Sequence, residues 1–339
     1  MKDAPPENHT LSRVFNLVVM LIGGAVLAWM IRELGWSKLV EVTRGIGAAF
    51  ALILGLDLVA LLIDARALHV FLGPAAKRVS YWRVLAAQAS GRAINVVTPL
   101  GALGEPTKLS MLVAYAPRGR VVSALVLLNL ATLYLSVIVM VIGTPITLLA
   151  IELPRALKIT VGVGLGVLVP LMVALGVLVQ RGALSTLTSL LRGVRMISKQ
   201  RRDRWHKQLA EVDRHISELY RKRSAGTWHG LLWVLLSRLV TWCATMTLIY
   251  ELGVAITPTL VVGVLSVGVL IQWIASIVPL GLGLADGGNY ALFDLLGAPG
   301  MHGAFVTMLN RVRSLGVALI GFTIMLIVHG IDRLRRTKR

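Results

Sequence analysis

Seven apolar runs divide this chain, and nothing else in the sequence restricts its fold as strongly. They are Val14–Ile31, Gly45–Ile63, Gly119–Ile142, Ile159–Gln180, Trp228–Tyr250, Thr259–Val278 and Gly303–Val328. A bilayer core of about 30 Å is crossed by roughly 20 apolar residues in a helix, and each run comes close to that length or passes it. Composition agrees: 56% of the 339 residues are hydrophobic and 15% are charged, against about 25% charged in a soluble domain. The chain reads as an all-α integral membrane protein. Val14–Ile31 is longer than a signal-peptide core and has no small-x-small cleavage site after it, so it reads as a retained helix. The single cysteine, Cys243, excludes an intramolecular disulfide and any multi-cysteine metal site.

The net charge of +19 would point to nucleic acid in a soluble domain. Here the basic residues cluster beside the apolar runs, so they set topology instead, and no nucleic-acid partner is expected. Between Arg181 and Arg223 lie twelve Lys/Arg against four Asp/Glu, and Arg333–Arg339 adds five basic residues. The positive-inside rule places both in the cytoplasm. Thr144–Leu157 and Glu251–Pro258 read as external. Three regions follow: a first membrane half (1–180), a basic cytoplasmic amphipathic segment (181–227) and a second membrane half (228–339) with a basic cytoplasmic tail.

The stretch Asn95–Lys108, "NVVTPLGALGEPTK", interrupts this pattern with two prolines, two glycines, a glutamate and a lysine. Arg66, Lys77, Arg78 and Arg83 precede it, and Arg118 and Arg120 follow it, so both of its ends read as cytoplasmic. Val84–Val97 and Thr107–Ala116 are each too short to span. The stretch is expected to form a re-entrant hairpin near 84–116, turning at Pro99–Gly104; broken backbone at membrane depth requires surrounding protein or water. Ser276–Phe293, "SIVPLGLGLADGGNYALF", repeats the design: Pro-Leu-Gly, a further glycine, then a carboxylate. Glu105 follows Pro99 by six residues, and Asp286 follows Pro279 by seven. The second hairpin, near 259–300, is expected to enter from the opposite face. The fold expected is therefore about six full transmembrane helices plus two broken hairpins in an inverted-repeat arrangement, with a site where the hairpins meet. Two unrelated kinks are the alternative, since Pro and Gly are frequent in membrane helices.

Ionisable groups inside spans cost roughly 2.5–3.5 kcal/mol each on insertion scales, so each needs a reason. At the first break, Arg92 and Lys108 are candidates to grip a phosphate, with Asn95 and Thr98 hydrogen-bonding it; Arg92 and Asn95, three apart, share a helix face. A plain Arg92–Glu105 pair closing the hairpin is the other reading. At the second break the candidates are Asp286 and Asn289, with Arg311 the expected partner of Asp286. Arg313 reads as snorkelling, and Asp64 and Arg66 as interfacial. Asp57, mid-span, and Gln272 are secondary candidates, and Arg238 a lesser one for the cavity wall.

No HExxH, P-loop, Ser-His-Asp set or metal cluster is visible, and no cofactor is expected. "GVGLG", Gly162–Gly166, lies inside an apolar run with no preceding strand, so close helix packing explains it better than a nucleotide loop. Trp205, Leu209, Val212, Ile216 and Leu219 mark one stripe of an amphipathic helix, either lying on anionic lipid or packed on a neighbouring cytoplasmic helix.

With "GRAINVVTPLGALGEPTK", "VPLGLGLADGG" and "LNRVRS", the chain resembles the transmembrane region of the lysylphosphatidylglycerol synthase family, the flippase-like membrane proteins. It departs from that pattern in "GALGE", which lacks a doubled glycine before the acid, and in Asp286, where relatives often carry Glu. The resemblance implies movement of lipids between leaflets, with some members tied to aminoacylated phospholipids and others to isoprenoid or hopanoid pathways. The chain ends soon after its last helix, so the aminoacyl-transferase domain is not expected. The function expected is a translocase in the cell membrane that moves a phospholipid or isoprenoid-type lipid through a midplane polar cavity. Its partners would be membrane lipids, with lipid-biosynthesis enzymes as further candidates. The alternatives are a membrane enzyme acting on a phospholipid or polyprenyl phosphate, with Glu105 or Asp286 as base, and a non-catalytic partner of a lipid-modifying enzyme.

Overall fold

A computed structural model describes residues 47–98, 103–150, 225–276 and 283–337, together with positions 18, 21, 25, 32, 159, 162–167, 169–170 and 173–174. The basic segment with its stripe from Trp205 to Leu219, most of Val14–Ile31 and both Pro-Leu-Gly turns (99–101 and 279–281) lie outside the described residues. What is described is helical, with no strand. Helix α1 is Ala48–Phe71, followed by a 3-10 turn, Gly73–Arg78. Then come α2, Tyr81–Val97, α3, Gly104–Leu112, and α4, Arg118–Ala150. The second half begins with α5, Ala225–Glu251. A compound helix follows: α6, Pro258–Gly263, a π-turn, Val264–Gly268, and α7, Val269–Ala275. It ends with α8, Leu284–Leu295, and α9, Gly300–Thr337.

Among the described residues, five helical stretches are long and apolar enough to cross a membrane: Ala48–Phe71, Arg118–Ala150, Thr227–Glu251, Pro258–Ala275 and Gly300–Val328. They match five of the seven runs, and the described positions of Ile159–Gln180 are helical as well. Only 28–39% of each apolar window is buried inside the protein, so most of that surface faces outward. Leu52, Ile142 and Leu232 are more than half exposed. In water such a surface is a liability; against lipid tails it costs nothing, and helix association then rests on close packing of small residues. The chain is a multi-pass membrane protein.

The two halves repeat one order, long helix, broken hairpin, long helix, and they pack reciprocally. Helices α1 and α5 run antiparallel: Phe71 lies against Gly230, and the Ser237 hydroxyl donates to the Ala60 carbonyl at 3.1 Å. One apolar core joins the C-terminal end of α1 (Leu68, Phe71, Leu72) to the first hairpin (Val84, Leu112), to α4 (Leu125) and to Val234 of α5. The other joins Ile53 near the opposite end of α1 to Leu248, Leu260, Phe293 and Leu309, in α5, α6, α8 and α9. The hairpins therefore sit at opposite ends of the α1–α5 pair.

Each hairpin's first limb also rests on the last helix of the other half. On α9, Gly321 touches Ala89 and Ala93 of α2; on α4, Gly143 touches Val262 and Ser266 of the compound helix. A Cβ on either glycine would collide with those neighbours. At the second crossing both partners are locally irregular, α4 through Pro145 and the compound helix through its π-turn. Gly164, in the "GVGLG" run, lies helical beside Leu270 of α7, which is the packing role expected of it.

Candidate functional site

The first break is built on a glycine crossing. Limbs α2 and α3 run antiparallel so closely that a Cβ on Gly91 would strike the Lys108 side chain, and one on Gly104 would strike the Asn95 amide and the Gly91 carbonyl. The Lys108 stem thus lies over Gly91, and Lys108 itself is only 7% exposed. Its ammonium donates to Glu105 Oε1 at 2.6 Å, within one turn of α3. Thr98 donates its hydroxyl to the Ile94 carbonyl at 2.8 Å and Thr107 to that of Leu103 at 2.7 Å, each hydroxyl satisfied within its own segment.

The Arg92–Glu105 pair of the alternative reading does not form among the described residues. Glu105 is taken by Lys108, which is three residues away and on the same face, while Arg92 is on the other limb. Among the described residues, three polar atoms at this break are buried with no hydrogen-bond partner: Arg92 Nη1, Asn95 Oδ1 and Glu105 Oε2. Leaving such a group unmet costs about 1–3 kcal/mol, so native proteins carry few of them. Three such atoms within one hairpin make it the candidate site.

Around Arg92 lies a charge network drawn from both halves. Asp57 of α1 takes a two-pronged contact from Arg313 of α9, Nη2 to Oδ1 at 2.6 Å and Nε to Oδ2. Both partners are buried. Arg313 therefore does not snorkel: its helix face turns toward α1, and Asp57 holds it there. Asp64 does not lie at a helix end, because α1 continues past Ile63 to Phe71. Its Oδ2 accepts from Arg238 Nη2 of α5 at 3.1 Å, while Asp64 Oδ1 and Arg238 Nε are buried without partners among the described residues. Arg66 is exposed. Arg92 is partly buried, with its Nη1 fully enclosed. Among the described residues the charges bearing on it are Asp64, Arg238, Asp57 and Arg313, so this group holds three cations and two anions.

The second break is closed by its own contacts. Asp286 Oδ2 accepts from the Gly283 backbone N–H at 3.1 Å and from Arg311 Nη2 at 2.7 Å, the pairing expected from the sequence. Gly283 has φ of +79°, a left-handed conformation that glycine adopts without strain, and it starts α8 from there. Asn289 is buried and donates to Thr307 Oγ1 at 2.8 Å, tying α8 to α9. Gln272 is exposed on α7 and stands apart from these groups.

Sequence reasoning gave too little weight to Asp64, Arg238 and Arg313 and omitted Gly91 and Gly104. One signal was available: Asp57 and Asp64 are seven residues apart, two turns along one face of an apolar helix.

Neither a curated protein nor a solved structure matches the chain. The family model described as "Lysylphosphatidylglycerol synthase TM region" matches residues 16–321. With nearly the whole length covered, and apolar helices enclosing buried charge, the chain belongs to the lysylphosphatidylglycerol synthase transmembrane-region family, membrane proteins related to lipid handling.

Proposed function

We propose that this protein is a lipid translocase that passes a phosphate-bearing headgroup between leaflets at the first break, without catalysing a reaction. One observation carries the reading: Arg92 Nη1, Asn95 Oδ1 and Glu105 Oε2 are buried and unpartnered together, beside an arginine whose charge the surrounding ion pairs leave unbalanced. Uncompensated charge inside a membrane protein marks a substrate or ion path. A phosphate would balance Arg92, and donors on the headgroup would meet the two oxygens. The chain would sit in the cell membrane with both termini in the cytoplasm. The hairpins would enter from opposite faces and expose the site alternately, as in inverted-repeat transporters; their places at opposite ends of the α1–α5 pair support this. Asp286 and Asn289 would act on the second hairpin as its hinge and clasp.

Proteoliposomes carrying fluorescent lipids of differing headgroup test the proposal. At least one phosphate-bearing lipid is expected to cross faster than in protein-free vesicles, and Arg92→Gln is expected to abolish the difference. Equal rates with and without protein for every headgroup would overturn it.

A further inference from the structure

Two hydroxyls that meet across helices do so in an unusual way. Ser237 shows the ordinary case: its proton goes to the Ala60 carbonyl at 3.1 Å and braces α5 on α1. Where α4 crosses the compound helix, Thr147 and Ser266 donate within their own helices instead. Thr147 gives its proton to the Gly143 carbonyl at 2.9 Å, and Ser266 gives its own to that of Val262 at 2.6 Å. Their oxygens nevertheless stand 3.3 Å apart, and both residues are buried. With both protons committed, lone pairs face lone pairs, an arrangement that a positive group beside both oxygens would relieve.

Thr144 adds a third oxygen to this crossing. Met140 packs with Val267 and Leu270 of the compound helix, while Gly143 touches Ser266 and Thr147 meets it. Thr144 belongs to the same i, i+3, i+4, i+7 stripe of α4. It is fully buried, and its hydroxyl oxygen has no partner among the described residues. Backbone oxygens are near as well. Pro145 has no N–H to offer the Val141 carbonyl, and Ser266 lies in the π-turn, where the regular α-helical ladder is interrupted. Neither helix carries an acidic residue.

We infer that Thr144, Thr147 and Ser266, with backbone carbonyls of the two irregular helices, form a site for a dehydrated monovalent cation of sodium's size. The site lies on other elements than the first break and does not depend on what binds there. Spacing sets the size. Calcium, close to sodium in radius, holds its oxygens at roughly 2.3–2.6 Å, so ligands at a right angle stand roughly 3.3–3.7 Å apart. Thr147 and Ser266 have that separation; the larger potassium ion needs a wider gap. The donors set the charge. Neutral hydroxyls and carbonyls can replace the hydration of one charge, whereas a buried divalent ion without a carboxylate would stay uncompensated. Carbonyls of interrupted helices coordinate sodium in this way in inverted-repeat transporters. Helix α4 belongs to the first half and the compound helix to the second hairpin, so a bound cation would fasten that hairpin to the opposite half.

The test is sodium binding to the purified full-length protein, followed with radioactive sodium and as melting temperature in sodium, potassium and choline chloride at one ionic strength. Sodium is expected to raise the melting temperature saturably, potassium less, and choline not at all. Thr147→Val and Ser266→Ala each remove one hydroxyl and leave the side chain otherwise close in shape. Each is expected to weaken sodium binding about tenfold or more, the effect of losing one polar contact to a charged group. Thr323→Val removes an exposed hydroxyl that donates to the Leu319 carbonyl of its own helix, and it is expected to bind sodium as the wild type does. Equal stabilisation by the three salts overturns the site, and so do folded Thr147→Val and Ser266→Ala proteins with wild-type sodium affinity. If those variants fail to fold, the wild-type ranking of the salts decides the question. Sodium binding without lipid crossing in vesicles would overturn the translocase and leave this site standing. Lipid crossing without sodium binding would do the reverse.

Discussion

The two broken hairpins share a plan and differ in what they leave open. Both have a long first limb, a break, and a short return helix with a carboxylate in its first turn, Glu105 or Asp286. Both rest on the last helix of the opposite half through a glycine, Gly321 or Gly143. At the second hairpin the carboxylate has Arg311 and the Gly283 N–H, and Asn289 has Thr307. At the first, Arg92, Asn95 and Glu105 each keep a buried polar atom without a partner. Duplicated architecture has thus been filled with unequal chemistry, one side resembling a binding site and the other a fastening. Open polar groups reduce stability, so the unequal filling suggests a division of work.

Breaking one ion pair at each place should show the largest contrast. Asp57→Ala strands the buried Arg313, and leaving one member of a buried pair unpaired costs about 3–5 kcal/mol. A large loss of melting temperature and of monodisperse protein in detergent is expected. Asp286 is about a third exposed, so Asp286→Ala should cost far less, about 1 kcal/mol. Equal losses would mean that the second break is as buried in the membrane as the central network.

Next in size are changes at the first break itself. Gly104→Ala drives a Cβ into the Asn95 side chain and the Gly91 carbonyl; the backbone has no room to yield, and overpacking of this kind costs about 1–3 kcal/mol. Transport and stability should fall together. Arg92→Gln should separate them: transport is expected to drop by about tenfold or more, with the melting point unchanged or raised because a cation whose Nη1 is buried without a partner among the described residues has been removed. A destabilised Arg92→Gln protein would assign that arginine to architecture and erase the contrast between the hairpins.

The spans were legible because length and hydropathy suffice to mark a crossing, and the breaks because Pro, Gly and charge are conspicuous inside apolar runs. Partners were not legible. Asp57 and Arg313 are 256 residues apart, and only helix packing brings them together. Arg311 and Arg313 are two residues apart and so point to different sides of α9, one to Asp286 of α8 and the other to Asp57 of α1. Charge type says nothing of which faces which. Lys108 is the exception: its three-residue spacing from Glu105 indicated the pair that forms, and the sequence offered it also as a candidate ligand for phosphate. The glycine crossing was hidden because Gly91 and Gly104 reveal their purpose only when both limbs are placed.

The smallest expected effect gives the sharpest comparison, because the same substitution should change sign between the hairpins. Gly287 occupies the first turns of α8, exposed, with nothing within 4 Å of where its Cβ would stand. Its backbone is helical, so alanine there meets no strain and removes the conformational freedom that makes glycine a poor helix residue, an effect of about 0.5–1 kcal/mol. Gly287→Ala should therefore raise the melting temperature slightly, where Gly104→Ala lowers it. If the second hairpin only fastens its half, stiffening it should leave lipid transport close to the wild-type rate. If α8 must flex to open the path, transport should slow although stability has risen. Measuring both quantities on one preparation distinguishes a fixed clasp from a moving hinge, and a loss of stability would show that a neighbour packs against Gly287 in the membrane.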